Sequence, residues 1–305
     1  MKIYVSKINE SWIVDRFRDE WIKNNSQINT PFAFKADIIW LIAPWIWQNV
    51  SKKNLANKKV VCTIHHLEND DFEGDKREEF LERDEYVDIY HVISKKTKDE
   101  LEQYTKKPIA YIPFWSNNKI FYEIKNKKKL REQLNISENA YVIGSFQRDT
   151  EGKDLKSPKL VKGPDRLLEI FEHYNKTKNE LLIVLSGKRR QYIINELVKR
   201  NINYKYFEMV DFQKLNQLYN CLDLYIVASR IEGGPQAIVE CAITKTPLIS
   251  TDVGIASEIL SKKSIFNMKN FINAEPDVDT SFKNAVKYNM PNGFKEFIYL
   301  FENLI

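Results

Sequence analysis

Glycine is scarce in this sequence, with nine in 305 residues, less than half the roughly 7% of average usage, so a pair of adjacent glycines carries information. Cysteine is scarcer still. Cys62, Cys221 and Cys241 lie in apolar or helix-adjacent segments without CxxC spacing, which excludes a disulfide framework and reads as reduced core residues. No apolar run approaches the eighteen or so residues that span a bilayer, and 1–6 leads straight into a short strand pattern without a secretory leader, so a cytoplasmic protein is expected. Neither sign of charge dominates: 47 basic and 42 acidic residues are interspersed, and the formal charge of +5 argues against a nucleic-acid binder. A weak peripheral contact with anionic lipid at the inner face of a membrane stays open. The run 125–129, with Asn126 inside it, lacks interleaved aromatics and reads as a solvated linker.

Hydrophobic residues make up 43% of the chain and aromatics 12%, enough for two cores of ordinary size. Short apolar runs at 2–5, 37–42, 59–64, 89–93, 109–112, 141–146, 181–185, 204–207, 222–228 and 247–250 alternate with helix-like segments at 76–85, 95–104, 164–174, 191–200 and 212–220. That alternation predicts βαβ units and parallel sheets. A turn-rich, charged passage follows residue 112, which places a domain boundary near 122. The fold expected is α/β, with two doubly wound Rossmann-like domains, 1–122 and 123–280, facing across a cleft, and a closing helical segment at 281–305 that packs back towards the first.

The most informative stretch is Ser229-Arg230-Ile231-Glu232-Gly233-Gly234-Pro235-Gln236-Ala237-Ile238-Val239-Glu240. It follows the β-rich run 222–228 and opens a helix, with Pro235 at the first helical position. A helix start of this kind offers unpaired N–H groups and a positive dipole end, and an anionic ligand can approach Gly233 and Gly234 closely. Glu232 stands beside that ligand, and Gln236 and Glu240, spaced i, i+4, share one helix face where a carboxylate can accept from two hydroxyls of a ribose.

The segment resembles the Glu-x7-Glu signature of the family-4 retaining glycosyltransferases. The likeness continues in Thr251-Asp252-Val253-Gly254-Ile255-Ala256-Ser257-Glu258, where Gly254 and Glu258 fall on matched positions. It also covers Val142-Ile143-Gly144-Ser145-Phe146-Gln147-Arg148, similar to that family's first strand and glycine turn, and Lys162-Gly163-Pro164-Asp165, similar to its Lys-Gly-x-Asp helix start. The resemblance implies the GT-B fold, with an N-terminal acceptor-side domain and a C-terminal nucleotide-sugar domain. It implies transfer of a sugar from a nucleoside diphosphate donor to a hydroxyl of a carbohydrate or lipid-linked acceptor, in glycan, glycolipid or polysaccharide synthesis, without a metal or other cofactor. Arg148 and Lys162 inherit the diphosphate clamp, Glu232 the sugar hydroxyls, Glu240 the ribose, and Gly144, Gly233, Gly234, Pro235 and Gln236 the donor side.

His65, at the end of Val60-Val61-Cys62-Thr63-Ile64-His65-His66, matches a histidine that touches the donor sugar, with His66 the alternative if the register shifts by one. Adjacent histidines do not share a strand face, so they are a poor metal pair, and His91 and His173 read as structural. Two departures stand out. Met1 to Asn9 contains no glycine where the family has a glycine-rich loop, and 149–161 is longer than usual, which makes Lys153 a competitor to Lys162 and predicts a mobile surface loop at 150–160. Trp40, Trp45 and Trp47 around Pro44 read as core, with stacking on a sugar or lipid as the alternative. A non-catalytic binding or partner subunit of the same fold is the competing function.

Overall fold

The structure, a computed structural model, describes residues 1–9, 13–68 and 72–305. The chain divides into two compact units, Met1–Trp115 with Met290–Ile305, and Ser116–Asn289.

In the first unit, β1 (Ile3–Val5), β2 (Ile38–Leu41), β3 (Lys59–Ile64), β4 (Ile89–Val92) and β5 (Ile109–Tyr111) form a parallel sheet in chain order. Alternate residues go to opposite faces. Ile3, Val5, Ile38, Trp40 and Val61 pack with Phe17 and Trp21 of helix Ile13–Asn24 and with Phe297 and Phe301 of helix Lys295–Glu302. Ile39, Leu41, Val60, Cys62 and Tyr90 pack with Leu55, Phe80 and Leu101 of the helices that follow β2, β3 and β4.

Helix Ile13–Asn24 takes the opposite face because the chain after it first passes β1 on its outer side. There Asn29 makes a single parallel bridge to Ile3, and the Thr30 N–H donates to the Ile3 carbonyl at 2.9 Å. That is a strand reduced to one residue. A right-handed crossover in that direction puts its helix on one face, and the crossovers running the other way put theirs on the other. The winding therefore reverses between β1 and β2.

The second unit holds β6 (Tyr141–Ser145), a hairpin of β7 (Thr150–Glu151) and β8 (Ser157–Pro158), then β9 (Leu181–Ser186), β10 (Tyr204–Phe207), β11 (Leu224–Val227), β12 (Leu248–Thr251) and β13 (Ile265–Phe266). The six-stranded parallel sheet runs β10-β9-β6-β11-β12-β13, so its strand order reverses between β6 and β11. Ligands of such sheets bind beyond the carboxyl ends of the strands at that reversal.

The units divide at 115/116 rather than near 122. Trp115 is buried against Phe17, Trp21 and Phe294, whereas the Ser116 N–H donates to the Tyr288 carbonyl at 2.9 Å and Phe121 is buried in the second unit's core. Likewise 281–305 is not one closing helix. Val278–Ala285 and a 3-10 turn to Tyr288 stay with the second unit, and the first takes the chain from Met290.

The run 125–129 is not a solvated linker either. Asn126 caps helix Lys127–Gln133 through its side chain, and one face of that helix grips Asp223 at the start of β11. Asp223 accepts from Lys127 Nζ at 2.7 Å, Arg131 Nη2 at 2.6 Å and the Val142 N–H at 2.8 Å. Burial alone would raise the Asp223 carboxyl, but these three donors outweigh it and hold it below the usual carboxylate range.

Candidate functional site

At the carboxyl ends of β6 and β11, three segments converge. The first leaves β6 through Phe146-Gln147-Arg148-Asp149 and is anchored underneath by a wholly buried ion pair between Asp149 and Arg190. Arg190 Nη1 also donates to the Ser186 carbonyl at 2.8 Å. The second ends in a 3-10 turn, Leu160–Lys162, and Gly163. Gly163 has φ +63°, and a Cβ there would lie 2.0 Å from the Ala228 carbonyl oxygen, so only glycine lets this turn close onto the end of β11. The third runs from Ser229 to helix Gln236–Thr244, for which Pro235 is the N-cap rather than the first helical residue.

These segments place Lys162 Nζ 2.7 Å from Glu232 Oε2. Gln147 Nε2 donates to the Lys162 carbonyl at 2.7 Å, and the buried Ser229 hydroxyl lies 3.1 Å from Glu232 Oε1 and 3.2 Å from Gln147 Oε1. Thr251 Oγ1 in turn donates to the Ser229 carbonyl at 2.7 Å. Arg230 forks onto Asp165, with contacts of 2.7 and 2.5 Å, and reaches the Leu160 carbonyl at 2.8 Å, clipping the second segment to the third. Gly254, at φ +48°, packs so close that a Cβ would stand 2.1 Å from the Gly233 carbonyl oxygen. The loop after β12 is thereby seated on the Glu232-Gly233 backbone.

Arg148 follows Gln147 on the first segment, its Nε donating to the Thr150 carbonyl at 3.1 Å. Burial first, then the neighbouring Arg189, push its guanidinium below its ordinary value, against the pull of Glu151. Among the described residues it makes no ion pair. The stretch 150–160, expected as a mobile surface loop, is a short hairpin and turn that is exposed over most of its length. Thr150 is buried, its N–H donates to the Arg189 carbonyl at 3.1 Å, and its hydroxyl accepts from the Tyr192 N–H at 2.9 Å. Lys153 is exposed on the hairpin.

One sequence-derived position sits differently from expectation. Gly144 lies inside β6 rather than in a turn, where a Cβ would meet Leu222 Cδ1 at 2.3 Å, so its glycine serves core packing. Glu240 is not an open surface carboxylate. It is 4% exposed, and Tyr219 Oη donates to it at 2.8 Å. Gln147, Ser229 and Tyr219 were missed because a glutamine, a serine and a helical tyrosine carry no spacing that distinguishes them from ordinary structure.

At the corresponding edge of the first unit, Ser6 takes the place of a glycine loop, its hydroxyl accepting from the Ile42 N–H at 3.1 Å. His65 Nε2 lies 2.9 Å from the Ile42 carbonyl, so it carries the hydrogen and Nδ1 is left as an acceptor. Desolvation among its aromatic neighbours pushes the ring down to about 4, which leaves it neutral at pH 7. His66 instead faces Glu68 at 3.3 Å. His91 is buried between the Thr63 hydroxyl and the Ile112 carbonyl. His173 packs edge-on to Tyr174 and Phe271. Trp40 and Trp47 are core, whereas Trp45 is 48% exposed.

Comparison with solved structures shows the GT-B glycosyltransferase fold. HepE of Anabaena, solved in complex with UDP and glucose, aligns at a TM-score of 0.77 over 99% of this chain and 100% of its own, at 12% identity. Sucrose-phosphate synthase from Thermosynechococcus elongatus aligns at 0.70 over 98% and 80%, at 15% identity. A glycosyltransferase from Rickettsia africae aligns at 0.65 over 98% and 84%, at 16% identity. No curated protein matches the chain by sequence. Residues 126–288, more than half of the chain and nearly all of the second unit, match the glycosyl transferases group 1 family, and the chain belongs to it.

Proposed function

We propose that the protein is a retaining, metal-independent glycosyltransferase of the family-4 type, taking a sugar from a nucleoside diphosphate donor. The observation that carries this reading is the Lys162–Glu232 pair at the strand reversal of the second sheet, with Arg148 on the loop that leaves β6. Fixed cations there face the place where a leaving diphosphate gains charge, which such cations stabilise by several kcal/mol. HepE, whose fold is shared, is known in complexes with UDP and with UDP-glucose, which favours a donor of that class.

In this reading Arg148 and Lys162 hold the diphosphate, and the first turn of helix Gln236–Thr244, with Gly233 and Gly234, offers N–H groups to it. Glu232 accepts from sugar hydroxyls, and Glu240 from the ribose. His65 accepts a donor-sugar hydroxyl at Nδ1. The acceptor hydroxyl attacks from the face the diphosphate leaves and passes its proton to a leaving oxygen, so the anomeric configuration is kept without an enzyme nucleophile. The first unit, Met1–Trp115 with Met290–Ile305, supplies the acceptor side.

A thermal-shift series with UDP-, GDP- and ADP-sugars tests this, since a ligand at a hundred times its dissociation constant stabilises by about 2.7 kcal/mol. Release of the nucleoside diphosphate on adding saccharide acceptors, unchanged by EDTA, is expected. Donor binding without any turnover would point to a non-catalytic subunit, and a rate lost to EDTA and restored by Mg2+ or Mn2+ would overturn metal independence.

A further inference from the structure

Trp45 is the exposed exception in an aromatic core. Among the described tryptophans, Trp21, Trp40, Trp47 and Trp115 are at most 1% exposed, while Trp45 is 48% exposed. Its position is fixed by a 3-10 turn, Pro44–Asn49, directly after β2, at the carboxyl edge of the first sheet where the winding reverses. The indole lies 5.7 Å from the His65 ring, and His65 stacks at 5.9 Å on the buried Phe114. The imidazole is thus held from behind and through Nε2, with Nδ1 available as an acceptor.

An exposed indole flanked by polar side chains offers an apolar plane with hydrogen-bonding groups at its rim. A pyranose has the complementary make-up, with C–H groups on its face and hydroxyls around its rim. The flanking residues are polar: Gln48 and Asn49 are exposed, and His66 with Glu68 lies beyond His65. An acyl chain would need a contiguous apolar strip, and the chain neighbours of Trp45 on the turn do not extend one, since Ile46 and Trp47 are buried.

Resting on the transferase reading above, in which His65 touches the donor sugar, we propose that Trp45 is the platform for the acceptor and that the acceptor is a pyranose carbohydrate. Its ring packs on the indole, with the hydroxyls of its rim among the polar groups of the Pro44–Asn49 turn.

Ligand-observed saturation-transfer NMR tests this with methyl glucoside, methyl galactoside and methyl N-acetylglucosaminide, each with and without UDP. Wild type is expected to bind at least one glycoside, Trp45→Ala about tenfold more weakly, and Trp45→Phe in between, because the smaller ring keeps part of the stacking face. UDP affinity, read by calorimetry, should be equal in all three proteins. Equal glycoside binding by wild type and Trp45→Ala overturns the proposal, as does failure of every glycoside to bind wild type. Binding to phosphatidylglycerol vesicles that Trp45→Ala abolishes, without glycoside binding, overturns it in favour of a lipid contact. If UDP fails to bind wild type, the donor reading falls, while the glycoside arm without UDP still decides the role of Trp45.

Discussion

Lys162 Nζ and Glu232 Oε2 lie 2.7 Å apart, an ion pair between two groups that the family resemblance assigns to different parts of one donor. Both side chains are largely shielded, and Ser229 and Gln147 fix the carboxylate and the Lys162 backbone. In the proposed reading, a diphosphate reaching Lys162 competes with Glu232 for the ammonium, which frees the carboxylate for sugar hydroxyls.

Lys162→Ala should lower transfer by at least tenfold, about 1.4 kcal/mol of lost charge stabilisation, while Lys153→Ala should cost little. Steady-state turnover of the donor ranks the two. The reverse order would move the clamp into the β7-β8 hairpin.

Glu232→Gln should act in opposite directions on two readouts. Removing the competing carboxylate should tighten UDP binding in calorimetry, while sugar transfer falls. Weaker UDP binding would show that Glu232 supports the nucleotide rather than competing with it.

Glu240 calls for a gentler substitution than a surface carboxylate would. Alanine there leaves the buried Tyr219 hydroxyl without this acceptor, at about 1–3 kcal/mol of stability. Glu240→Gln keeps an oxygen for Tyr219, so it should melt close to wild type yet bind UDP about tenfold more weakly. Unchanged UDP affinity in the glutamine variant would remove Glu240 from the ribose site.

The first unit should lose stability in mild acid. Burial pushes His91 down to about 3, whereas in the unfolded chain it takes up a proton near pH 6.5. Between those values the unfolded state binds more protons, so stability is complete above pH 6.5 and falls as pH drops, by about 1.4 kcal/mol per unit for one proton. Urea midpoints at pH 7.5, 6 and 5 should fall more steeply for wild type than for His91→Gln. Identical slopes would sink this assignment.

Asp223→Asn should destabilise the second unit by about 2–3 kcal/mol, because the nearly buried Arg131 loses its countercharge while the Val142 N–H keeps an acceptor. Nucleotide affinity of the folded protein should be unaffected, since Asp223 lies at the opposite end of β11 from Glu232. Chemical denaturation and calorimetry together check both halves.

How far the sequence could be read depended on the range of the interactions involved. Strand runs such as 59–64 and 222–228 announced themselves because both faces of a parallel sheet are buried, and the Glu-Gly-Gly-Pro segment because its turn chemistry is local. The Lys162–Glu232 pair spans seventy residues of chain and only closes through Gly163 against Ala228. Helical spacing puts Glu240 on a face with Gln236, but its partner Tyr219 comes from another helix and could not be read there. The 150–160 segment is exposed over most of its length, as its composition indicates, and the sequence hid only the hold on Thr150 by Arg189 and Tyr192, far along the chain.

The single bridge between Ile3 and Asn29 bears on solubility. A sheet edge of unpaired N–H and C=O groups is a template on which another chain can add, and proteins blunt such edges by covering or shortening them. Here β1 is only three residues long, and the Asn29-Thr30 backbone already occupies its outer side at Ile3. Too few paired positions remain in register for a second molecule to extend the sheet, so the reduced strand guards against edge-to-edge aggregation.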